Sequence, residues 1–136
     1  MVVIEKAHEH DLESIKALDG HPEHDRFLTN SVRSGHCRIA RNGITVVGFA
    51  VADTSFYEQY FISLLAVHRE HRRHGVGTAL IRHVESNCPT QKLFTSTDRS
   101  NTPAQTLFES LGFIRSGLIE NLDEGDPEIV YFKRVR

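Results

Sequence analysis

The chain has 136 residues, a length that fits one globular domain. Hydrophobic residues make up 39% and charged residues 25%, a composition typical of a globular domain and not of a disordered chain. The 16 Lys and Arg against 18 Asp and Glu give a formal net charge of −2, too little positive charge for a nucleic-acid partner. We therefore predict a single domain over residues 1–136 that does not bind nucleic acid.

The longest apolar stretch, Phe61–Val67 (FISLLAV), is far shorter than the roughly 20 residues that a membrane-spanning helix needs. The first residues, MVVIE, contain no basic segment before an apolar run, so they do not resemble a secretion signal. These features predict a cytoplasmic protein without a membrane partner.

The cysteines and histidines do not predict a metal site. Cys37 and Cys88 are far apart and outside any CxxC motif, so both are expected to be buried, reduced thiols. The histidine pairs near the N-terminus lie in polar segments and are expected to be solvated or locally hydrogen-bonded. These pairs are His8 with His10 and His21 with His24.

Hydrophobic periodicity predicts one strand and two helices at the N-terminal end of the chain. Val2–Ala7 is the strand, Asp11 caps a helix that ends at Asp19-Gly20, and Asp25–Ser34 is a second helix that ends at Gly35. The apolar residues assigned to the buried faces of the two helices are Leu12, Ile15, Leu18, Phe27, Leu28 and Val32.

A hairpin and a buried strand are predicted next. Cys37–Ala40 and Ile44–Ala52 flank Arg41-Asn42-Gly43, and an Asn-Gly pair between two apolar runs is a strong signal for a β-hairpin. Tyr60–Val67 is apolar on both faces, which is typical of a central strand covered by helices on both sides.

The remaining elements alternate helix and strand. They are a helix over Gly75–Cys88 stopped by Pro89, a strand Lys92–Thr97, a helix Thr102–Leu111 ended by Gly112, and closing strands Phe113–Asn121 and Ile129–Arg134. The predicted order is β-α-α-β-β-β-α-β-α-β-β, an α/β fold with a mixed sheet and helices on both faces.

The segment between the central strand and the next helix has the composition of a phosphate-binding turn. It reads HREHRRHGVGT over His68–Thr78 and contains Arg72-x-x-Gly75-x-Gly77. The first amides of a helix are unpaired and the helix dipole is positive there, so a strand, a glycine-containing turn and a helix N-terminus together suit a phosphate. Glycine at both positions permits an unusual φ or a close approach of the ligand to the backbone. The alternative is a glycine cap beside a solvated basic cluster formed by Arg72, Arg73 and His74.

Two motifs in this order resemble the GNAT superfamily of N-acetyltransferases. LLAVHREHRRHGVGTAL (Leu64–Leu80) is similar to its acetyl-CoA motif, and NTPAQTLFESLGF (Asn101–Phe113) is similar to its second signature. The resemblance implies a mixed sheet of six to seven strands. It also implies an enzyme of the acyltransferase class that moves an acetyl group from acetyl-CoA to a primary amine by direct attack in a ternary complex.

The same resemblance implies the residues that bind acetyl-CoA. The backbone of Leu65 and Val67 would contact the pantetheine arm, as would Asn101, which also starts a helix. The turn that would hold the pyrophosphate comprises Arg72, Arg73, His74, Gly75, Val76, Gly77 and Thr78. Phe108 is also assigned to the cofactor-binding set. It fills the position where many family members have a Tyr that protonates the thiolate, and it has no proton to give.

The two motifs do not identify the residues for acid and base catalysis. Glu58, near the start of the central strand, is a candidate base, and Ser63 on that strand is another polar candidate. Tyr131, Ser110 or water are candidates to replace the missing acid. The loop at 120–128 contains five carboxylates, and we predict that Asp123 and Glu124 attract a cationic amine on a small molecule or a peptide.

Two alternatives remain open. Phe108 also suits a non-catalytic module that binds or senses acyl-CoA, and the glycine turn alone also suits an interaction domain without a cofactor. Homodimers are common in the family that the sequence resembles, and no apolar stripe in this sequence argues for one independently.

Overall fold

The computed structural model describes residues 2–136 and has a seven-stranded mixed sheet. The strand order is β1-β2-β3-β4-β5-β7-β6, so the predicted fold class is confirmed. The strands are β1 Val3–Lys6, β2 Cys37–Asn42, β3 Thr45–Phe56, β4 Gln59–Val67, β5 Lys92–Asp98, β6 Ile114–Ile119 and β7 Glu128–Arg134. The helices are α1 Leu12–Asp19, α2 Asp25–Arg33, α3 Val76–Ser86 and α4 Thr102–Ser110. Short 3₁₀ turns occupy Glu9–Asp11, Pro22–His24 and Arg69–His71.

Two compact units make up the chain. Unit 1 consists of Leu64–Ser86 and the described part of Met1–Ala52, and unit 2 consists of Asp53–Ser63 and Asn87–Arg136. Strands β3 and β4 each begin in one unit and end in the other. The expectation of a single domain stays a prediction.

Unit 1 has helices on both faces of its strands. Helices α1 and α2 cover one face with a cluster that includes Ile15, Leu28 and Phe49. The next residue along β3 from Phe49 is Gly48, which faces α3: a Cβ placed on Gly48 would lie 3.1 Å from Val76 Cγ1 and 3.3 Å from Leu80 Cδ1. Successive strand residues point to opposite faces, so β3 is packed on both sides.

Two expectations for the N-terminal helices are wrong. Phe27, expected on the buried face of α2, is 41% exposed, while Leu28 and Val32 are buried as predicted. Asp11 makes no capping hydrogen bond to α1, because its carboxylate instead accepts hydrogen bonds from the His8 amide (2.9 Å) and Arg41 (3.0 Å). Burial raises the pKa of Asp11, but these two bonds outweigh burial and hold the pKa below its usual value.

The first hairpin is confirmed, but its turn lies one residue further along the chain than predicted. Asn42 pairs with Thr45, so the two turn residues are Gly43 and Ile44. Gly43 has φ +64°, and glycine at the first position of a two-residue turn is typical of type II′. Strand β3 also continues to Phe56, four residues beyond its predicted end.

Unit 2 contains a second hairpin that the sequence did not reveal. β3 turns into β4 through Tyr57 (φ +51°) and Glu58 (φ +67°), two residues without the Gly, Asn or Asp that usually mark such a turn. In β4, only Ile62 is fully buried and the other residues are half-buried, so the expected cover on both faces of this strand is incomplete. Helix α4 packs on the sheet through Phe108, whose ring lies 5.5 Å from that of Tyr131.

Both cysteines are buried and free, as predicted. Burial raises the pKa of the Cys37 thiol to about 12, which leaves it unreactive near neutral pH. Local hydrogen bonding of the N-terminal histidines is also seen: His24 Nδ1 lies 3.1 Å from the Asp19 carboxylate. Among the described residues, none of the helices has the length and apolar character needed to cross a membrane.

Candidate active site

The predicted phosphate turn joins β4 to α3 in unit 1. Gly75 has φ +81° and accepts the first helical hydrogen bond from the Ala79 amide at 2.9 Å, so it is the cap residue of α3. No heavy atom lies within 4 Å of the position that a Cβ would occupy on Gly75. The amides of the first turn, in Val76, Gly77 and Thr78, have no partner within the helix. The turn therefore presents a row of hydrogen-bond donors that an anion can reach.

The second glycine of the motif has a different role from the first. Gly77 lies inside α3 with helical backbone, and the other left-handed residue of this turn is Arg73, with φ +65°. Glycine at position 77 is therefore not required by φ.

Basic residues form part of the turn. Arg72, Arg73 and His74 are exposed, and Arg72 Nε donates to the carbonyl of Val67 at 3.3 Å. His68 Nδ1 accepts a hydrogen bond from the Glu70 amide at 3.1 Å, which gives His68 a structural role at the start of the 3₁₀ turn. A cleft of about 370 Å³ beside this turn is lined by apolar, basic and acidic residues, among them Leu18, Arg69 and Glu70.

The strand that precedes the turn is held from one side by β3. The His68 amide donates to the Val47 carbonyl at 2.7 Å, and Leu65 and Val67 are half-buried. A Cβ on Gly48 would lie only 3.0 Å from the Ala66 carbonyl oxygen, so glycine at this position lets β3 and β4 approach closely. Sequence reasoning missed Gly48, although an isolated glycine inside a strand pattern is the expected signal for a close backbone approach.

In unit 2, the ladder between β4 and β5 is short. It pairs Tyr60, Phe61 and Ile62 with three residues at the start of β5 and ends there. Ser63, the next residue, has a buried hydroxyl oxygen without a hydrogen-bond partner among the described residues. A buried, unpaired hydroxyl costs free energy, so the Ser63 hydroxyl is a candidate to contact a ligand.

The second motif forms α4. Asn101 Oδ1 accepts a hydrogen bond from the Ala104 amide at 3.1 Å, so Asn101 caps α4 as the resemblance implied. Phe108 is 3% exposed and packs between the rings of Phe113 and Tyr131, at 5.9 and 5.5 Å. Phe108 is therefore part of the core beneath α4.

The three candidate acid and base residues are not brought together. Glu58 is exposed in the turn before β4, and Ser63 lies five residues further along the strand, a separation of roughly 17 Å. Tyr131 is fully buried under α4 and donates a hydrogen bond from its hydroxyl to Glu109 at 2.9 Å. Burial, followed by the neighbouring Glu109 carboxylate, raises the pKa of Tyr131. Their catalytic roles stay predictions.

The acidic loop contributes one of its two predicted residues to a carboxylate cluster. Asp123 lies with Asp98 and Glu128, and one oxygen from each carboxylate lies within 4.8 Å of the others. Glu124 is exposed and is not a member of this group. The neighbouring Glu128 carboxylate, followed by burial, raises the pKa of Asp98, and Asp98 in turn raises the pKa of Asp123. Three carboxylates at this spacing favour a positive charge, either an organic cation or a metal ion.

The chain thus combines a seven-stranded mixed sheet with a turn between β4 and α3 that leaves the helix N-terminus open to an anion. A sequence model described as the acetyltransferase (GNAT) family matches residues 4–113. The chain therefore belongs to the GNAT family, which is a family of acyltransferases.

Solved structures and curated sequences agree with this assignment. A GNAT-family acetyltransferase from Bacillus cereus is 39% identical, with a TM-score of 0.93 over 98% of this chain and 97% of that one. Arabidopsis thaliana Naa50, in complex with the bisubstrate analogue CoA-Ac-MVNAL, is 20% identical with a TM-score of 0.81 over 97% of each chain, a likeness of fold. Human N-alpha-acetyltransferase 30 is 33% identical over 88 residues, which cover 58% of this chain and 24% of the human protein. The chain thus spans about a quarter of the length of this curated relative.

Proposed function

We propose that this protein transfers the acetyl group of acetyl-CoA to a primary amine, by direct attack of the amine in a ternary complex. The observation that carries the proposal is the turn at Gly75, where a left-handed glycine with open space around it leaves the first amides of α3 accessible. The membership of the GNAT family and the bisubstrate analogue bound to Arabidopsis Naa50 support acetyl-CoA as the donor.

In this proposal, unit 1 binds the donor. The amides of Val76, Gly77 and Thr78 hold the pyrophosphate, and Arg72, Arg73 and His74 supply positive charge around it. The backbone of Leu65 and Val67 contacts the pantetheine arm. In unit 2, the resemblance assigns a further contact with the pantetheine arm to Asn101. Its Oδ1 already caps α4, so its side-chain amide nitrogen is the group that would contact the ligand.

The bound donor supplies an acetyl group on a thioester. The neutral amine nitrogen forms a bond to the carbonyl carbon, the carbon–sulfur bond breaks, and the thiolate leaves with the electron pair. The nitrogen loses one proton to a base or to water, and the thiolate takes up a proton from water. A thiol has a pKa of about 8.5, so its thiolate is an acceptable leaving group without an acid at position 108. We assign the Ser63 hydroxyl to hydrogen bonding at the reacting group, because it is buried and lacks a partner among the described residues. Glu58 as base and Tyr131 as acid stay proposals.

The acceptor is proposed to be a peptide N-terminal amine. Two named similar proteins, human N-alpha-acetyltransferase 30 and the Naa50 complex with a peptide-containing analogue, support this class. The carboxylates of Asp123 and Glu124 would attract a cationic amine. A cytoplasmic location likewise stays a prediction.

The phosphate turn is tested by calorimetric titration of acetyl-CoA into the wild type and the Gly75→Asp variant. An aspartate at this position brings a negative charge beside the proposed pyrophosphate, and we expect acetyl-CoA affinity to fall by about 10-fold or more. Gly20→Asp is the matched control, because Gly20 also has positive φ (+73°) and no heavy atom within 4 Å of its Cβ position. Gly20→Asp should retain the wild-type affinity. Equal affinity for Gly75→Asp and the wild type would mean that the turn is only a helix cap and does not hold the pyrophosphate.

A second candidate function, binding of acyl-CoA without turnover, is favoured by Phe108. This residue fills the position of the usual acid and is packed into the core. Release of free coenzyme A separates the two functions: an enzyme releases it faster in the presence of an acceptor amine, whereas a binding module does not.

A further inference from the structure

One face of the unit 2 sheet is packed against α4, and the opposite face presents three rows of side chains that run across the strands. Helix α4 covers the face that carries Tyr131. Side chains alternate between faces along a strand, so the register of the strands assigns each residue to a row on the opposite face. The rows differ in chemistry: the first is aromatic, the second small and the third acidic.

The aromatic row is formed by register partners at the start of β4 and β5. Phe61 pairs with Phe94, Phe94 with Phe132, and Phe132 with Ile114. Phe56 extends the row, with its ring 4.7 Å from that of Phe61 and 5.3 Å from that of Phe94. The four phenylalanine rings are half-buried and Ile114 is 59% exposed. The aromatic row is therefore an apolar surface that is partly exposed to solvent.

The middle row has small side chains. Ser96 pairs with Val130, and Val130 with Gly117. Ser63 lies two residues after Phe61 and so points to this same face, where its buried hydroxyl has no partner among the described residues. The middle row therefore has shorter side chains than the aromatic row, and the unpaired Ser63 hydroxyl lies at its β4 end.

The acidic row is formed by Asp98 and Glu128, which are register partners, and by Asp123 from the loop. Glu128 accepts a hydrogen bond from Ser96 of the middle row at 2.6 Å. The three carboxylates lie close together, and the raised pKa of Asp98 and Asp123 reflects the cost of placing their negative charges side by side. A cation bound here would relieve that repulsion.

We infer that this face binds the acceptor, and that the preferred acceptor is a peptide with a large apolar N-terminal residue and a basic residue about two positions further on. This inference rests on the proposed function, which places the reacting amine near Ser63. Rows separated by two residues along a strand lie roughly 6.6 Å apart. The first side chain would therefore reach the aromatic row, and an extended peptide would bring its third residue to the acidic row.

Four peptides test the inference: Phe-Ser-Arg-Gly-Gly, Ala-Ser-Arg-Gly-Gly, Phe-Ser-Gln-Gly-Gly and Ala-Ser-Gln-Gly-Gly. Arginine supplies the positive charge without adding a second primary amine. Acetylation is measured by product mass, with EDTA present so that no metal ion occupies the carboxylates. We expect kcat/KM for Phe-Ser-Arg-Gly-Gly to exceed that of each singly changed peptide by about 10-fold.

Two variants assign the preferences to the rows. Asp123→Asn should reduce the preference for Arg at least 3-fold and leave the preference for Phe unchanged. Phe94→Leu should reduce the preference for Phe at least 3-fold and leave the preference for Arg unchanged. Ile114→Thr, at an exposed position of the aromatic row, repeats the second test if Phe94→Leu lowers the unfolding temperature. Glu120→Gln is the matched control, because it removes one charge from the same loop outside the cluster and should change neither preference.

The outcomes separate this inference from the proposed function. Equal kcat/KM for all four peptides would overturn the inference and leave the acetyltransferase assignment intact. If no peptide is acetylated, direct calorimetric titration of Phe-Ser-Arg-Gly-Gly and Ala-Ser-Gln-Gly-Gly decides. Tighter binding of the first peptide that Asp123→Asn weakens supports the acceptor face, and equal or undetectable binding of both overturns it.

Discussion

Phe108 links the chemistry of the site to the packing of the core. Its ring is 3% exposed and lies against the rings of Phe113 and Tyr131. The hydroxyl of Tyr131 already donates to Glu109. The resemblance places a Tyr proton donor at this position in many family members. Here the side chain contributes apolar packing instead, so a hydroxyl introduced at position 108 would lie in an apolar environment.

Phe108→Tyr is expected to lower stability. The added hydroxyl would be buried, and burying a hydroxyl without a partner costs about 1–3 kcal/mol. Thermal unfolding should show a fall of a few degrees, and steady-state assays should show whether kcat rises. An unfolding temperature equal to that of the wild type would mean that the hydroxyl reaches a partner or solvent, and a rise in kcat would mean that the missing acid limits the wild-type reaction.

Phe108→Leu serves as the control for packing. It removes the ring and adds no polar group, so it should lower the unfolding temperature without raising kcat. A rise in kcat with both variants would point to altered packing and not to a proton donor.

The helices and the first hairpin follow from local sequence, because their signals lie in the residues themselves. Leu28 and Val32 repeat at helical spacing and are buried, and Gly20 ends α1 with φ +73°. The hairpin between β2 and β3 follows from Asn42 and Gly43, with an error of one residue because Asn42 pairs with Thr45 and belongs to β2. Local patterns fix the type of an element better than its ends.

The remaining features could not be predicted from local sequence. The turn at Tyr57 and Glu58 has no sequence signal, since both are unusual residues at positive φ. Other features depend on pairing between segments that are distant in sequence. The grouping of Asp98 with Glu128 follows from the register of β5 and β7, and Asp123 joins them from a loop. The motifs predicted the phosphate turn, whereas the three rows of the acceptor face required the strand order and register.

Glu58→Gly should stabilise the second hairpin. A non-glycine residue in the left-handed region costs roughly 1–2 kcal/mol, and glycine at the second turn position removes this cost. We expect the unfolding temperature to rise by a few degrees. The same variant tests the candidate base: if kcat falls by about two orders of magnitude or more, the result would support a catalytic role, and an unchanged kcat would restrict Glu58 to the turn.

Glu58→Gln is the control for this variant. It removes the charge and keeps a residue with a side chain at positive φ, so it should leave the unfolding temperature near that of the wild type. If Glu58→Gly and Glu58→Gln raise the unfolding temperature equally, the charge and not the backbone conformation would be the source of the effect.

At the level of the whole molecule, the two units share strands but carry different groups. The proposed phosphate turn and its basic residues belong to unit 1, and the proposed acceptor face with its carboxylates belongs to unit 2. Each of β3 and β4 passes from one unit to the other, at Ala52–Asp53 and at Ser63–Leu64. Neither unit is therefore a continuous piece of chain, and the backbones of β3 and β4 run through both units.

This shared use of β3 and β4 predicts that the protein unfolds in a single transition. Scanning calorimetry should give equal calorimetric and van't Hoff enthalpies, as for one cooperative domain. Acetyl-CoA at about 100 times its dissociation constant should stabilise the folded state by about 2.7 kcal/mol and move the whole transition upward, although its proposed phosphate contacts are in unit 1. Two transitions, of which acetyl-CoA moves only one, would mean that the units unfold independently, and the prediction of a single domain would then be wrong.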